Sequence, residues 1–468
     1  MARPLIALSA IYSLILFLVA GSQHFLLGTQ VWDIGIFEQF SWLIANGKIN
    51  EISSLREITP LQDHFSLLLL PIACIYKLLP STYTLIGLQS ISLGTLPALA
   101  ARITSKNSNN NRLTIALIIA IILCPYSFLV NRGDFHPDIL TAPLMLIAIS
   151  EATKKRKIAY YISLLITLSA KNAQALFGGG LSLYALAKGK KKRALVTLLT
   201  SIAWWFIATK LSSAGGDHVN IRLGYLGENN LEIITTLITR PWHVFNEVSP
   251  ESIALYTLGL SLPFLALLNK NALPALLGAL PIYMTNIISA SGIQRELNHH
   301  YSIGILVFLI AACLDSSEKW KELPEIKIKT IYYSTIILAL AAFLGYARVG
   351  YFNSRYFPRI HESFAFQQAK ANIPSKSSIL TTKNYAAHLA NRQSVVNIET
   401  NNYVPLDQYD YIILPSRNNL EDVSGKLKLV KDTKSDDKMN AIIEEASSLG
   451  MQCISANKYI RLCSKESN

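Results

Sequence analysis

Apolar runs close to membrane-spanning length recur along the first three quarters of the chain. They predict helices at 4–21, 83–102, 113–130, 138–152, 158–170, 174–187, 194–211, 251–269, 272–290, 300–315 and 330–346. A hydrocarbon core of roughly 30 Å takes about 20 helical residues, so several runs are short and their ends are soft by a few residues. The run 65–79 is also apolar, but Pro71 and Lys77 interrupt it, and it reads as re-entrant or interfacial. Beyond Tyr346 the pattern changes to polar sequence with short apolar stretches at 378–381, 394–398, 409–414, 451–455 and 459–463. These read as strands, with a short helix at 384–391 between them. The expected fold is mainly α: a polytopic helical membrane protein of about eleven transmembrane helices over 1–346, then a small C-terminal α/β domain over 347–468.

Charge adds orientation. The net charge is +13 with only 16% charged residues. The cations gather in alternate short loops: Arg102, Lys106 and Arg112; Lys154 to Lys157, including Arg156; Lys188 to Arg193; Lys270; and Lys319 to Lys329. That is the positive-inside pattern, so the basicity reports topology and argues against a nucleic-acid partner. It places the amino terminus in the cytoplasm, and 22–82, 131–137, 171–173, 211–250, 291–299 and the tail on the outer face of the cytoplasmic membrane. A cleaved signal peptide over 4–20 is the alternative for the first run.

All nine histidines fall in or beside those outer segments, at His24, His64, His136, His218, His243, His299, His300, His361 and His388. Outer loops are longer and hold more polar residues of every kind, which is the plain explanation for His24, His218 and His243. Cys453 and Cys463 lie on two strand-like runs in an oxidising compartment and either pair or stay as two thiols. Cys74, Cys124 and Cys313 sit among apolar residues and read as packing.

The candidate chemistry is also on the outer face. Asp33 and Glu38 follow the first helix and precede Phe40, Trp42 and Leu43, as in an interfacial amphipathic helix. Asp33 as a helix cap and Glu38 as a solvated residue are the alternatives. Asp63-His64-Phe65-Ser66 ends the same loop, so His64 is expected near Asp33. Arg132 to Asp138, with His136 between, fills a very short loop where charge is costly unless paired or ligand-bound. A self-satisfied Arg132, Asp134 and Asp138 network is the alternative. Arg295, Glu296, His299 and His300 mark another outer helix end, and His136-x-Asp138 beside His299-His300 leaves a divalent metal open without a defining spacing. Lys171, Arg222 and Arg295 are outer cations suited to a phosphate headgroup, or to ordinary anionic lipid. Away from their ends the predicted helices hold almost no charged residues, which speaks against an ion-coupled pathway through the bilayer.

Taken together, Asp33-x-Gly35-x-Phe37-x-Gln39, Trp42, Gly47, His64-Phe65-Ser66, Pro71, Phe135-His136-Pro137, Lys171, Arg222-x-x-Tyr225 with Gly227, and His300-Tyr301 resemble the domain-of-unknown-function 2079 family of membrane proteins. In the tail, Ile373-Pro374, His388-Leu389, Arg392 and Tyr411 to Leu414 extend the resemblance over nearly the whole chain. Those proteins are in turn similar in architecture to membrane glycosyltransferases of the GT-C class, which place an acid in the first outer loop.

The resemblance implies a transferase that takes a sugar from a polyprenyl-phosphate donor to a cell-envelope acceptor. Asp33 would be the general base, and Lys171, Arg222 and Arg295 would hold the phosphate. His64, His136 and His300 would position substrates, with Glu38 and Asp138 orienting them. One departure stands out: relatives commonly follow the lysine with Glu and Asp, whereas this chain reads Lys171-Asn172-Ala173, which puts metal dependence and activity in question. The competing expectations are a lipid or polysaccharide transporter and a non-catalytic envelope assembly protein.

Overall fold

The computed structural model describes residues 2–108, 110–155, 157–212, 221–399, 405–416 and 433–465. Arg156 and His218 lie outside them. Every helix expected from the apolar runs is present: Ala2–Phe25, Thr82–Asn107, Asn111–Ile122 with Pro125–Gly133, Ala142–Glu151, Ile158–Leu168, Ala175–Ala187, Lys191–Leu211, Pro250–Ser261, Leu273–Ile287, Ile303–Ser317 and Glu325–Tyr346. Among the described residues seven helical segments are long and apolar enough to cross a membrane, while Ile139–Glu151 and Ile158–Leu168 are apolar but shorter. The run interrupted by Pro71 becomes a 10-residue helix, Leu69–Leu78. At 1.5 Å per residue it is about half the length a crossing needs.

The chain folds as two compact units. The first comprises Met1–Ala20, Leu61–Leu69 and Ile86–Arg348. Its helices meet through small residues: a Cβ at Gly180 would overlap the carbonyl oxygen of Gly278, and one at Gly278 would overlap the Phe308 ring. Without a strong hydrophobic drive between helices in lipid, close backbone approach of this kind supplies packing contact.

The second unit comprises Gly21–Pro60, Leu70–Leu85 and Val349–Asn468. The 347–468 tail expected as a module by itself thus shares its unit with most of the segment 22–82. Its sheet has the order β2-β1-β3-β5-β4, where β1 is Ile379–Thr381, β2 Val395–Asn397, β3 Tyr411–Pro415, β4 Gln452–Asn457 and β5 Ile460–Ser464. The first three strands are parallel and β5 runs antiparallel to β3 and β4. All five strands lie where the apolar stretches predicted them, whereas the helix expected at 384–391 is a single turn, Lys383–Ala386. Cys453 and Cys463, opposed in register, are joined as a disulfide.

The loop shares this unit for two reasons. Leu27 and Val31 are buried in one apolar cluster with Phe366, Ile379, Tyr385, Val395 and Ile413. Ser54 covers the edge strand β2, donating to the Val395 carbonyl at 2.8 Å and accepting from its N–H at 2.9 Å, which removes an open edge.

Candidate active site

Within the first unit, three expected loops converge. The helix Pro125–Gly133 ends at Gly133, where a Cβ would overlap the carbonyl oxygen of Asn298. Glycine therefore lets the segment leading to His136 close onto the segment leading to His300. The His136 and His300 rings lie 3.7 Å apart between centroids. Gln89 holds the turn, accepting from the His136 N–H at 3.0 Å and donating to the Asp134 carbonyl at 2.6 Å. Tyr126 donates to the His300 carbonyl at 3.0 Å, and Tyr301 packs beside the His300 ring at 4.2 Å.

Lys171 comes to the same place. Its Nζ is 3.0 Å from His300 Nε2, and Asp138 Oδ2 stands 4.0 Å from that nitrogen while accepting from Gln174 at 3.3 Å. Lys171, His136, Asp138 and His300 are all buried. Among the described residues Lys171 closes no ion pair, and Asp138 Oδ1 and His300 Nδ1 have no hydrogen-bond partner. Burying a cation without a carboxylate partner, beside orphaned polar atoms, is costly and rare in a purely structural cluster.

The His64 segment runs beside the lysine turn. The Asn172 N–H donates to the His64 carbonyl at 3.1 Å, the Leu68 N–H donates to that of Ser169 at 3.2 Å, and Phe65 packs against Trp204 at 5.9 Å. His64 and Phe65 both have positive φ, 56° and 48°. Left-handed backbone costs roughly 1–2 kcal/mol per non-glycine residue, so the surrounding contacts hold this strap in a strained conformation.

The other two cations differ. Arg222 lies over the Tyr301 ring at 5.3 Å and reaches its hydroxyl at 3.4 Å, which brings it to the rim of the cluster. Arg295 donates from Nε to Ser252 at 3.0 Å and from Nη1 to the carbonyls of Asn286 and Ser289 at 3.1 and 2.5 Å. Burial also lowers its pKa from the usual guanidinium value. In this conformation it braces a turn.

One nitrogen or oxygen from each of His136, Asp138 and His300 lies within 4.8 Å of the others, a spacing a divalent ion can bridge. Lys171 hydrogen-bonded to His300 opposes a second cation there, so an anion suits the cluster better.

Asp33 and Glu38 belong to the second unit. Asp33 is half-buried in a single π turn, Val31–Gly35, ahead of the helix Ile36–Ala45, and neither segment has a side-chain cap bond. Asp33 thus stands inside the turn and is the N-cap residue of neither segment, and π turns are concentrated at functional positions. Glu38 corrects an expectation: it is no solvated or headgroup-level residue but is 2% exposed. Tyr76 and Thr82 donate to its two carboxylate oxygens at 2.9 and 2.6 Å. Burial raises its pKa, opposed by those hydroxyls and by the charge of Lys370.

Glu38 lines a cavity of about 320 Å³ with His24, Lys370, His388 and their neighbours. His24 and His388 stack at 3.8 Å, and Lys370 donates to the His388 carbonyl at 2.5 Å. Lys370 escaped the sequence reading, which also left His24 unsupported and His388 only as a matching motif. Its polar face on an otherwise ordinary helix, Ile360–Ala371, carried no signal of its own.

The fold is that of a polytopic helical membrane protein, with a cluster of buried polar residues at its helix ends. The chain belongs to the family described as predicted membrane protein DUF2079, whose model matches residues 23–451. No curated protein matches it by sequence. Its fold is similar to that of ArnT from Cupriavidus metallidurans bound to undecaprenyl phosphate, with a TM-score of 0.56 at 11% identity over 99% of this chain and 98% of that one. The apo state of ArnT gives 0.51 at 11% identity over the same shares.

Proposed function

We propose that this protein is a membrane glycosyltransferase that moves a sugar from a polyprenyl-phosphate donor to a cell-envelope acceptor on the outer face of the cytoplasmic membrane. The observation that carries the reading is Lys171, a buried cation with no ion pair among the described residues, beside His300. It supports an anion site, and the ArnT fold is one that accommodates undecaprenyl phosphate in its own case. Alternate basic loops support a cytoplasmic amino terminus and an outer location for the second unit.

In this reading Lys171 holds the donor phosphate as a point charge, and Arg222 at the rim adds bidentate donors. His136 and His300, kept in place by Gln89 and Tyr126, shape the pocket around that phosphate. Asp33 accepts the proton of the acceptor hydroxyl as its oxygen attacks the anomeric carbon. The bond from that carbon to the phosphate oxygen breaks with inversion, and polyprenyl phosphate departs with its charge balanced by the cations. Arg295 supports the site only through the turn it braces.

The test is transfer of labelled sugar from a panel of polyprenyl-phosphate sugars to envelope acceptors, comparing the wild type with Asp33→Asn. General-base catalysis contributes about a hundred to ten thousand-fold, so a loss of that size with lipid binding intact is expected. Undiminished transfer by the variant would remove Asp33 from the chemistry, and no transfer from any donor would remove the transferase reading.

A further inference from the structure

We infer that the Glu38–Lys370–His388 cavity of the second unit is a binding site for a neutral sugar unit. This does not use the transferase reading: every lining residue belongs to the second unit, and the argument is one of charge, volume and unused hydrogen bonds.

Glu38 and Lys370 both face the cavity yet close no ion pair among the described residues. Each carboxylate oxygen of Glu38 accepts one bond, from Tyr76 or Thr82. An ionised carboxylate has about four acceptor positions, so roughly half remain to be filled. Lys370 donates once, to the His388 carbonyl, leaving two of an ammonium's three donors. His388 is held rigidly, its ring stacked on His24 at 3.8 Å and edge-on to Phe366 at 5.5 Å. Its Nε2 is buried with no hydrogen-bond partner among the described residues.

A ligand that completes this set must donate to a carboxylate and accept from an ammonium a short distance away. Adjacent hydroxyls of a sugar do both at once, since each is a donor and an acceptor. An anion would meet Glu38, and a cation would meet Lys370. Gln367 and Asn391 add side-chain amides to the wall, and Tyr83 adds a ring against which a sugar's C–H face can lie. The volume of about 320 Å³ lies at the small end of the roughly 300–1,000 Å³ typical of ligand pockets. It suits one sugar unit and excludes an oligosaccharide or a polyprenyl chain.

The experiment uses the full-length protein purified in a detergent without a sugar headgroup. Free hexoses, pentoses and N-acetylhexosamines are titrated by saturation-transfer NMR and calorimetry, alongside inorganic phosphate. The expected result is saturable binding of at least one neutral monosaccharide, weakened about tenfold or more by Glu38→Gln and by Lys370→Met, since each removes hydrogen bonds to a charged group. Melting profiles and a single symmetric elution peak on gel filtration show that the variants are folded. Phosphate binding here that Lys370→Met abolishes, with no sugar bound, would replace the proposal with an anion site. Absence of binding by every sugar, or binding unchanged in both variants, would overturn it and leave a water-filled cavity.

Discussion

The two buried polar sites differ in charge balance, and that difference is more informative than burial alone. In the first unit Lys171 bonds His300 and Arg222 lies over Tyr301 at the rim, two cations against the carboxylate of Asp138, which stands 4.0 Å from His300 and pairs with no lysine. In the second, one glutamate faces one lysine, with two stacked imidazoles between hydrophobic neighbours. Burial and the nearby charges of His24 and Lys370 hold the His388 pKa well below the ordinary histidine value, so that ring is neutral at physiological pH. A site with surplus positive charge selects an anion; a balanced one selects a ligand that both donates and accepts.

The sharpest way to break this contrast is to remove one lysine from each site. Lys171→Met is expected to weaken polyprenyl-phosphate binding roughly 10- to 100-fold, the loss of a charge-assisted contact of about 1.5–3 kcal/mol. Lys370→Met is expected to leave that affinity within about threefold, because its ligand is a different one. Binding of labelled undecaprenyl phosphate to the purified variants decides it. Equal losses would mean that the two lysines serve one ligand and that the comparison is mistaken.

A smaller effect is expected at Gly133, where any side chain meets the Asn298 carbonyl. Gly133→Ala should cost about 1–3 kcal/mol by overpacking and should spread the His136 and His300 rings apart. Donor binding in the first unit should then fall while monosaccharide binding in the second is unchanged. A variant with wild-type melting temperature and transfer would show that the glycine contact is not what seats His136.

The two sites were also unequally legible. His64, His136, Asp138, Lys171 and His300 each lie at the end of an apolar run, so the hydropathy pattern marked them as polar residues at helix ends. The helices and strands followed from the same pattern, because period and burial dominate where runs are long. What the pattern could not carry is contact between distant segments. Glu38 and Lys370 are separated by more than three hundred positions, and each lies on a short helix whose own sequence gives no sign of the other. The sharing of a core by Leu27, Val31 and Phe366 is equally invisible in either segment alone. Arg295 shows the reverse case: its sequence position suggests phosphate, whereas in the structure its Nη1 donates to the carbonyls of Asn286 and Ser289.

The smallest expected effect tests whether Glu38 is kept for binding or for stability. Its folded-state pKa is raised by burial above the ordinary 4.5. Below that ordinary value both folded and unfolded chains hold the proton, and the carboxyl costs nothing. As pH rises, the unfolded chain releases its proton first, so stability falls until the folded pKa is passed and then levels off. Glu38→Gln removes this penalty while keeping an acceptor for Tyr76 or Thr82. The variant should therefore melt above the wild type at neutral pH, with the advantage fading toward acid, and yet bind sugar more weakly. Stability gained with binding lost is the trade-off expected of a functional group. A variant that melts lower at neutral pH and recovers in acid would instead make Glu38 an ionised partner of Lys370, and the cavity a structural ion site. Melting curves of both proteins across that pH range separate the two outcomes without any ligand present.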